Sequence, residues 1–190
     1  NAQALALDVR SPAGWAAAAA ALERAGDPWA LVGCAARTVV RDLFSITPEE
    51  WDDVLAVNLR GPFLGIQAVA PVLRAHGGGR IVNVSSDSAY RGRGVTGAHY
   101  ASSKAGLITL TRRAAAALAG DGVTVNALAP GTIDGESVRE LSDPVAEAAA
   151  IPTGHLVDPA RLASLVAWLL TDDAADTTGS VLRVDGGASL

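Results

Sequence analysis

A tyrosine and the only lysine of the chain stand four residues apart, at Tyr100 and Lys104, while the other 14 of the 15 basic side chains are arginines. Residues four apart share one face of a helix, which brings the two side chains together. An ammonium beside a phenol favours the phenolate and shifts the pKa of the phenol toward neutral pH. The pair therefore predicts a general acid/base with a neighbouring cation, as a proton-transfer site requires.

Capping residues predict where the helices begin. Ser11, Thr47 and Asp158 each precede a proline, and this order favours a helix start because the first helical position needs no N–H. Glu50 completes a capping box with Thr47. The predicted helices cover about 12–24, 48–75 and 159–170, and a fourth helix carries Tyr100 and continues to about residue 119.

Short apolar segments alternate with these helices. They are rich in Val, Leu and Ile without strict alternation, which is typical of strands buried on both faces. The predicted strands are 4–7, 29–32, 80–84, 123–128 and 181–184. Alternating strands and helices predict the α/β class with a parallel sheet. We expect one domain over residues 1–190, in which the polar segment 134–150 forms a mobile lid or short helices.

Composition excludes several classes of function. The net charge is −5 and the basic residues are scattered, which argues against a nucleic-acid groove. No apolar stretch reaches the roughly 20 residues that span a bilayer. Cys34 is the only cysteine, which excludes an intrachain disulfide and fits a reducing compartment, so we expect a cytoplasmic location. We assign no metal site.

Ligands of open parallel sheets bind beyond the carboxyl ends of the strands. Chemistry-bearing residues are therefore expected directly after the predicted strands. These positions hold Asp8, then Cys34 with Ala35 and Ala36, then Ser85 and Ser86, then Pro130 and Gly131.

These positions belong to a series of motifs that resembles the short-chain dehydrogenase/reductase family. The resemblance covers nearly the whole chain and implies a Rossmann-type, doubly wound parallel sheet. It also implies an NAD(P)-dependent oxidoreductase that interconverts an alcohol and a ketone. The motifs are Asp8 with Val9, Asn58, Ile81 to Ser86, Tyr100 to Lys104, Val125 to Gly131, and Thr178 and Gly179 followed by Asp185 to Gly187.

The resemblance implies catalytic roles for four residues. Tyr100 would be the general acid/base, and Lys104 would lower its pKa and hold the nicotinamide ribose. Ser86 would hydrogen-bond the substrate oxygen, with Ser88 as the alternative. Asn58 would anchor a water that links the lysine to solvent. Pro62, four residues after Asn58, lacks an N–H and so frees the carbonyl of Asn58 and bends the helix.

Cofactor contacts follow from the same resemblance. Asp8 and Val9 would contact the adenine, and Cys34 with Ala35 would contact the adenosine ribose. Pro130, Gly131 and the backbone of Ile133 would contact the nicotinamide amide. Tyr100 and Lys104 complete the set. NAD and NADP are not distinguished. The expected substrate is a small or medium apolar carbonyl compound, and a homodimer or homotetramer is expected through the helices that begin near residues 48 and 98.

The chain also departs from the family pattern. The glycine-rich turn that seats the pyrophosphate is missing from the sequence, so we expect the 190 residues to be part of a longer chain. Residues 33–36 replace the family's Asn-Asn-Ala-Gly. The alternative to the enzyme is a catalytically weak homologue that serves as a binding or scaffold subunit. A dehydratase or epimerase is disfavoured by the set Ser86, Tyr100 and Lys104.

Overall fold

The computed structural model describes residues 4–26, 29–92, 94 and 96–190. A parallel sheet lies at its centre, and its strands are arranged in space in the order in which they occur along the chain. The α/β class is thereby confirmed. The strands are β1 (Ala30–Gly33), β2 (Gly79–Val84), β3 (Val123–Pro130) and β4 (Val181–Val184).

Helices connect these strands, as parallel pairing requires. The predicted caps are confirmed: Ser11 accepts from Gly14 N–H, Asp158 accepts from Ala160 N–H, and Thr47 forms its capping box. The helices are α1 (Pro12–Arg24), α2 (Pro48–Leu55), α3 (Gly61–Ala75), α4 (Ala98–Leu118), α5 (Glu136–Leu141), α6 (Pro144–Ala150) and α7 (Pro159–Leu169). None of these described helices has the length and apolar character needed to cross a bilayer.

Both faces of the sheet are covered, which makes the fold doubly wound. On one face α3 and α4 pack on β2 and β3 around residues such as Leu73, Ile81 and Val125. On the other face Leu169 of α7 is fully buried against Val82 and Leu128. Burying one such aliphatic side chain contributes about 1.5–3 kcal/mol, so the two layers fix α4 firmly on the sheet.

The segment 4–7 does not form the predicted strand. It has no assigned secondary structure, because no described strand lies beside it to pair with its backbone. Within the described residues, β1 pairs only with β2 and forms an edge of the sheet.

The predicted helix over 48–75 is interrupted. Residues Ala56–Arg60 form a π-helix between α2 and α3, in which Gly61 N–H donates to the carbonyl of Ala56, five residues back. Pro62 has no N–H for the carbonyl of Asn58, so the regular four-residue ladder cannot continue there. The wider turn accommodates the proline at this point of the helix. The bend expected from Pro62 is thus a π segment that carries Asn58.

Candidate active site

Three hydrogen bonds fix the position of α4 against the end of β2. Asn83 Nδ2 donates to Thr111 Oγ1 (3.0 Å), and Ser85 Oγ donates to the carbonyl of Lys104 (2.9 Å). Lys104 Nζ donates to the carbonyl of Val84 (2.8 Å). Because buried hydrogen bonds allow little sliding, the helix has one register on the strand.

This register brings Tyr100 and Lys104 together, as their spacing predicts. Nζ of Lys104 lies 5.7 Å from the centre of the Tyr100 ring, and Lys104 is only 2% exposed. Both side chains line a cleft of about 570 Å³ together with Ser86. Ser86 and Thr38 lie close enough to the Tyr100 hydroxyl to act on its pKa.

Burial sets the pKa values of this pair. It lowers the pKa of Lys104 to about 8, because the charged ammonium loses hydration. Burial also raises the pKa of Tyr100, and the hydrogen bonds from Ser86 and Thr38 oppose this rise only in part. The predicted lowering of the Tyr100 pKa by Lys104 is therefore wrong for this structure. Loss of hydration is the main cause of the rise, and the charge of Asp87 adds to it.

Ser86 lies closer to the chemistry than Ser88. It caps the 3₁₀ turn Asp87–Ala89 by accepting from the N–H of Ser88 (3.1 Å), and it is close enough to Tyr100 to lower the pKa of that phenol. The hydroxyl of Ser88 lies instead 3.3 Å from that of Thr96. Both serines line the cleft.

Asn58 is fully buried, and its side chain holds the loop that follows β1. Its Oδ1 accepts from the N–H of Arg37 (2.7 Å) and its Nδ2 donates to the carbonyl of Arg37 (3.0 Å). Nδ2 also donates to Ser103 Oγ (3.1 Å), which in turn donates to the carbonyl of Tyr100 (2.7 Å). Asn58 thus ties this loop to the helix that carries Tyr100.

The sequence-predicted cofactor residues line two adjoining pockets. The cleft with Tyr100 and Lys104 shares Ala36 with a pocket of about 350 Å³. The first contains Cys34, Pro130, Gly131 and Ile133, and the second contains Asp8, Val9 and Ala35. Carboxyl ends of neighbouring parallel strands meet at one edge of a sheet, which is why residues so far apart in sequence converge.

Backbone groups at the end of β3 face the cleft. An isolated parallel bridge joins Ile133 to Val157 and uses the carbonyl of Thr132 and the N–H of Asp134. The N–H of Ile133 makes no backbone hydrogen bond among the described residues, and Ile133 lines the cleft. This N–H is therefore a free donor for a ligand. Gly131 has no room for a side chain, because an added Cβ would lie 3.0 Å from Asp185 Cα.

Two predicted cofactor residues have constrained side chains. Asp8 accepts from the Arg10 side chain through both oxygens (2.9–3.2 Å), and this bonding lowers the pKa of Asp8. Arg10 also pairs with Asp53 (3.0 Å). Cys34 is exposed, while contact with the cleft wall partly desolvates its thiol and raises its pKa.

The predicted lid contains α5 and α6, and it forms the wall opposite Tyr100 through Val138, Ser142 and Glu147. Glu147 accepts a hydrogen bond from Thr132 (3.4 Å). Sequence reasoning missed Asp87 and Arg91 in the other wall, because an i, i+4 charge pair in a glycine-rich loop looks like solvated surface.

Comparison with known proteins places this arrangement in a family. Residues 1–189 match the family described as Enoyl-(Acyl carrier protein) reductase. The chain is 37% identical over 190 residues to the 3-oxoacyl-(acyl-carrier-protein) reductase FabG of Vibrio cholerae, covering 98% of this chain and 78% of the relative. The chain belongs to the short-chain dehydrogenase/reductase family.

Two further comparisons agree with this membership. The (3R)-3-hydroxyacyl-CoA dehydrogenase of Mus musculus is 40% identical over 163 residues, or 84% of this chain and 62% of the relative. The chain thus spans less than two thirds of that dehydrogenase. The solved aldohexose dehydrogenase of Thermoplasma acidophilum superposes with a TM-score of 0.90 at 29% identity, covering 97% of this chain and 77% of that one. The Rossmann-type fold is thereby confirmed.

Proposed function

We propose that this short-chain dehydrogenase/reductase interconverts an alcohol and a ketone with NAD or NADP, and that Tyr100 transfers the proton. One observation carries the proposal: Ser86 and Tyr100 line one cleft with Pro130 and Gly131, and Lys104 lies over the Tyr100 ring in the same cleft. A proton donor, an oxygen-binding hydroxyl and a cation at one point suit the chemistry of a polarised carbonyl.

The residues of the two pockets fit a nicotinamide dinucleotide. Ile133 offers a free backbone N–H for the nicotinamide amide, and the ammonium of Lys104 is available for ribose hydroxyls. Ala35 and Ala36 follow β1 with side chains too small to fill the pocket that they line together with Val9. We infer that Asp8 binds the adenine. Its carboxylate also accepts hydrogen bonds from the Arg10 side chain.

The bound cofactor would supply or accept hydride at the substrate carbon. During ketone reduction, Tyr100 donates its proton to the carbonyl oxygen while Ser86 donates a hydrogen bond to the same atom. The raised pKa of Tyr100 keeps the phenol protonated at neutral pH, so it is available as the proton donor for reduction. Lys104, with a pKa of about 8, remains mostly charged at pH 7 and stabilises negative charge that develops on the phenol oxygen.

We further propose that the Tyr100 proton is replaced through Lys104 and a water held by the carbonyl of Asn58. The π segment supports this role, because Pro62 offers that carbonyl no N–H. Pro62→Ala restores a potential donor, and we expect slower proton-linked turnover. Full activity of Pro62→Ala would refute this path.

Replacing Tyr100 by Phe tests the main proposal. The variant retains the ring beside Lys104 and loses the hydroxyl, so we expect kcat to fall by about 10²- to 10⁴-fold. Nucleotide binding, measured by tryptophan fluorescence or melting temperature, should persist. Tyr90→Phe is the matched control, since Tyr90 is 41% exposed and lies beside Arg183 rather than in the cleft. More than a tenth of the wild-type kcat in Tyr100→Phe would contradict the proposal.

The binding or scaffold subunit remains the second candidate. The bonds from Arg10 to Asp8 favour it, because they compete with adenine for the same carboxylate. Titration of the full natural chain with NADH and with NADPH separates the two functions. An enzyme should show saturable binding of at least one nucleotide, whereas a scaffold should bind neither.

We also propose that the protein forms a homodimer or homotetramer. A groove of about 860 Å³ lies between α2, the π segment, α3 and α4, and Leu59, Leu110 and the 44%-exposed Phe63 line it. Phe63→Glu should lower the mass found by light scattering, whereas Phe44→Glu, at a 93%-exposed position outside the groove, should not. A cytoplasmic location stays a prediction from the single cysteine.

A further inference from the structure

Arg10 stands at the pocket that the proposed function assigns to the adenine. The family motif at this point consists of Asp8 and Val9 and stops before Arg10. Arg10 nevertheless lines the pocket of about 350 Å³ together with both of them, and 46% of its side chain is exposed. Its guanidinium is therefore accessible to a ligand that enters this pocket.

Two carboxylates fix the guanidinium of Arg10. Nε donates to both oxygens of Asp8 (3.0 and 3.2 Å), and Nη2 donates to Asp8 Oδ2 (2.9 Å). Nη1 donates to Asp53 Oδ1 (3.0 Å). The N–H groups of a guanidinium lie in its plane, so these bonds hold the plane from its edges. The faces of the plane remain as the surfaces that a ligand can contact.

Asp53, on α2, is itself held in place. Its Oδ2 pairs with Arg37 Nε (2.7 Å), and the backbone of Arg37 bonds to the buried Asn58. The guanidinium of Arg10 thus belongs to a chain of ion pairs that ends on a fixed loop. A free arginine side chain loses conformational entropy when it binds a ligand. Arg10 has lost much of this entropy before a ligand arrives, which favours binding.

The charges around the pocket nearly cancel. Its charged residues are two acids and two bases, namely Asp8, Asp53, Arg10 and Arg37. Arg60, in the neighbouring groove, adds a positive charge that acts on Asp8. The other walls are apolar and consist of Leu7, Val9, Ala35, Ala36 and Val57. Because the nitrogens of Arg10 already have carboxylate partners, its free face suits a flat, uncharged aromatic ring better than a phosphate.

We propose that Arg10 is a cofactor-binding residue, and that the adenine ring of the nucleotide stacks on the face of its guanidinium. This inference rests on the proposed function. Three N–H groups of Arg10 already bond to the oxygens of Asp8, so the carboxylate alone accounts for little of the adenine affinity. Bases stack on arginine planes in other nucleotide sites. Arg10 therefore aids nucleotide binding instead of competing with the adenine for Asp8.

The test measures dissociation constants of the full natural chain by isothermal titration calorimetry. Arg10→Lys keeps the charge and loses the planar face. We expect it to raise the Kd of NADH or NADPH, whichever binds more tightly, by about 3- to 30-fold. The Kd of ADP-ribose, which keeps the adenine and lacks the nicotinamide, should rise by the same factor. The Kd of reduced nicotinamide mononucleotide, which lacks the adenosine, should stay unchanged. Arg41→Lys is the matched control, because it alters a similarly exposed ion pair, with Glu50, outside the pocket.

The outcomes separate this inference from the proposed function. An unchanged Kd of ADP-ribose in Arg10→Lys overturns the stacking role, and a lower Kd shows that Arg10 competes with the adenine. A rise confined to NADPH assigns Arg10 to a phosphate and also overturns it. An equal rise for reduced nicotinamide mononucleotide overturns it as well, because the whole site is then disturbed. In each of these cases the proposed oxidoreductase stands. If the wild-type chain binds neither NADH nor NADPH, the proposed function and this inference fail together.

Discussion

Lys104→Met removes the only lysine of the chain while keeping a long apolar stem. Burial lowers the pKa of Lys104 from 10.5 to about 8, so the charged ammonium lowers the free energy of unfolding. At about 1.4 kcal/mol per pKa unit, the folded state loses about 3 kcal/mol at pH 7 relative to a neutral side chain. Methionine avoids this cost and forfeits the hydrogen bond to Val84, worth about 1.5–3 kcal/mol. The variant should therefore be about as stable as wild type at pH 7, although inactive.

The pH dependence gives the sharper prediction. The folded-state pKa of Lys104 lies below the unfolded value, so between pH 8 and 10.5 the unfolded chain binds more protons. The free energy of unfolding of the wild type therefore rises with pH in this window. The cost of Lys104 falls by about 2 kcal/mol between pH 7 and pH 9.5. Lys104→Met lacks this gain, so the difference in stability between wild type and variant should change by about that amount in favour of wild type.

Urea unfolding followed by tryptophan fluorescence, at several pH values between 7 and 9.5, measures the difference. Both chains carry Cys34→Ala, because Lys104 and Cys34 each shift the pKa of the other. The loss of the bond to Val84 is independent of pH and does not affect the comparison of slopes. Arg113→Met is the matched control, since it removes an exposed cation from the same helix and should follow the wild-type slope. Parallel pH profiles for wild type and Lys104→Met would refute the reasoning.

Three further predictions concern the surroundings of Tyr100. Asn58→Leu removes both side-chain bonds to the Arg37 backbone, so urea unfolding should show a loss of about 2–4 kcal/mol; wild-type stability would contradict this. Gly97→Ala directs a methyl at the buried ring of His99 and should lower the free energy of unfolding by about 1–3 kcal/mol. The control Gly94→Ala, whose added methyl meets no atom within 4 Å, should lower it far less. Equal losses in the two variants would count against the packing argument. Ultraviolet titration of Tyr90→Phe, whose only tyrosine is Tyr100, should detect tyrosinate only above pH 10 because burial raises that pKa; ionisation near neutral pH would show that Lys104 dominates.

Local chemistry made much of the fold predictable. The predicted start of α2 at Pro48 is confirmed because its signal, an N-cap oxygen before proline, acts within one helical turn. The apolar face of α7 is also confirmed, since Leu162, Leu165 and Val166 pack around the buried Leu169. Segment 4–7 shows the limit of such reasoning. Its composition suits a strand, yet a strand requires a partner, and composition does not state which partners are present.

The sequence predicted which residues form the site, but not how their burial changes their pKa values. Motif order identified residues that the structure brings to one cleft, including Tyr100, Lys104 and Ser86. The direction of the Tyr100 pKa could not be predicted, because it depends on burial, which arises only from packing of the whole chain. Asp87 and Arg91 gave no usable signal, since their place in the cleft wall depends on burial of the loop rather than on their spacing.

The hydrogen bonds between the end of β2 and α4 hold Ser86 and Tyr100, the proposed oxygen-binding and proton-donating residues, in a fixed relative position. The facing wall, α5 and α6, is joined to the end of β3 by the Thr132 to Glu147 hydrogen bond and the bridge between Ile133 and Val157. The two walls of the cleft therefore come from different segments of the chain, although both are joined to the same sheet. If the proposed function holds, transplanting residues 134–150 between relatives should exchange the range of accepted molecules while the reaction stays the same, so that selection can change one wall of the cleft at a time.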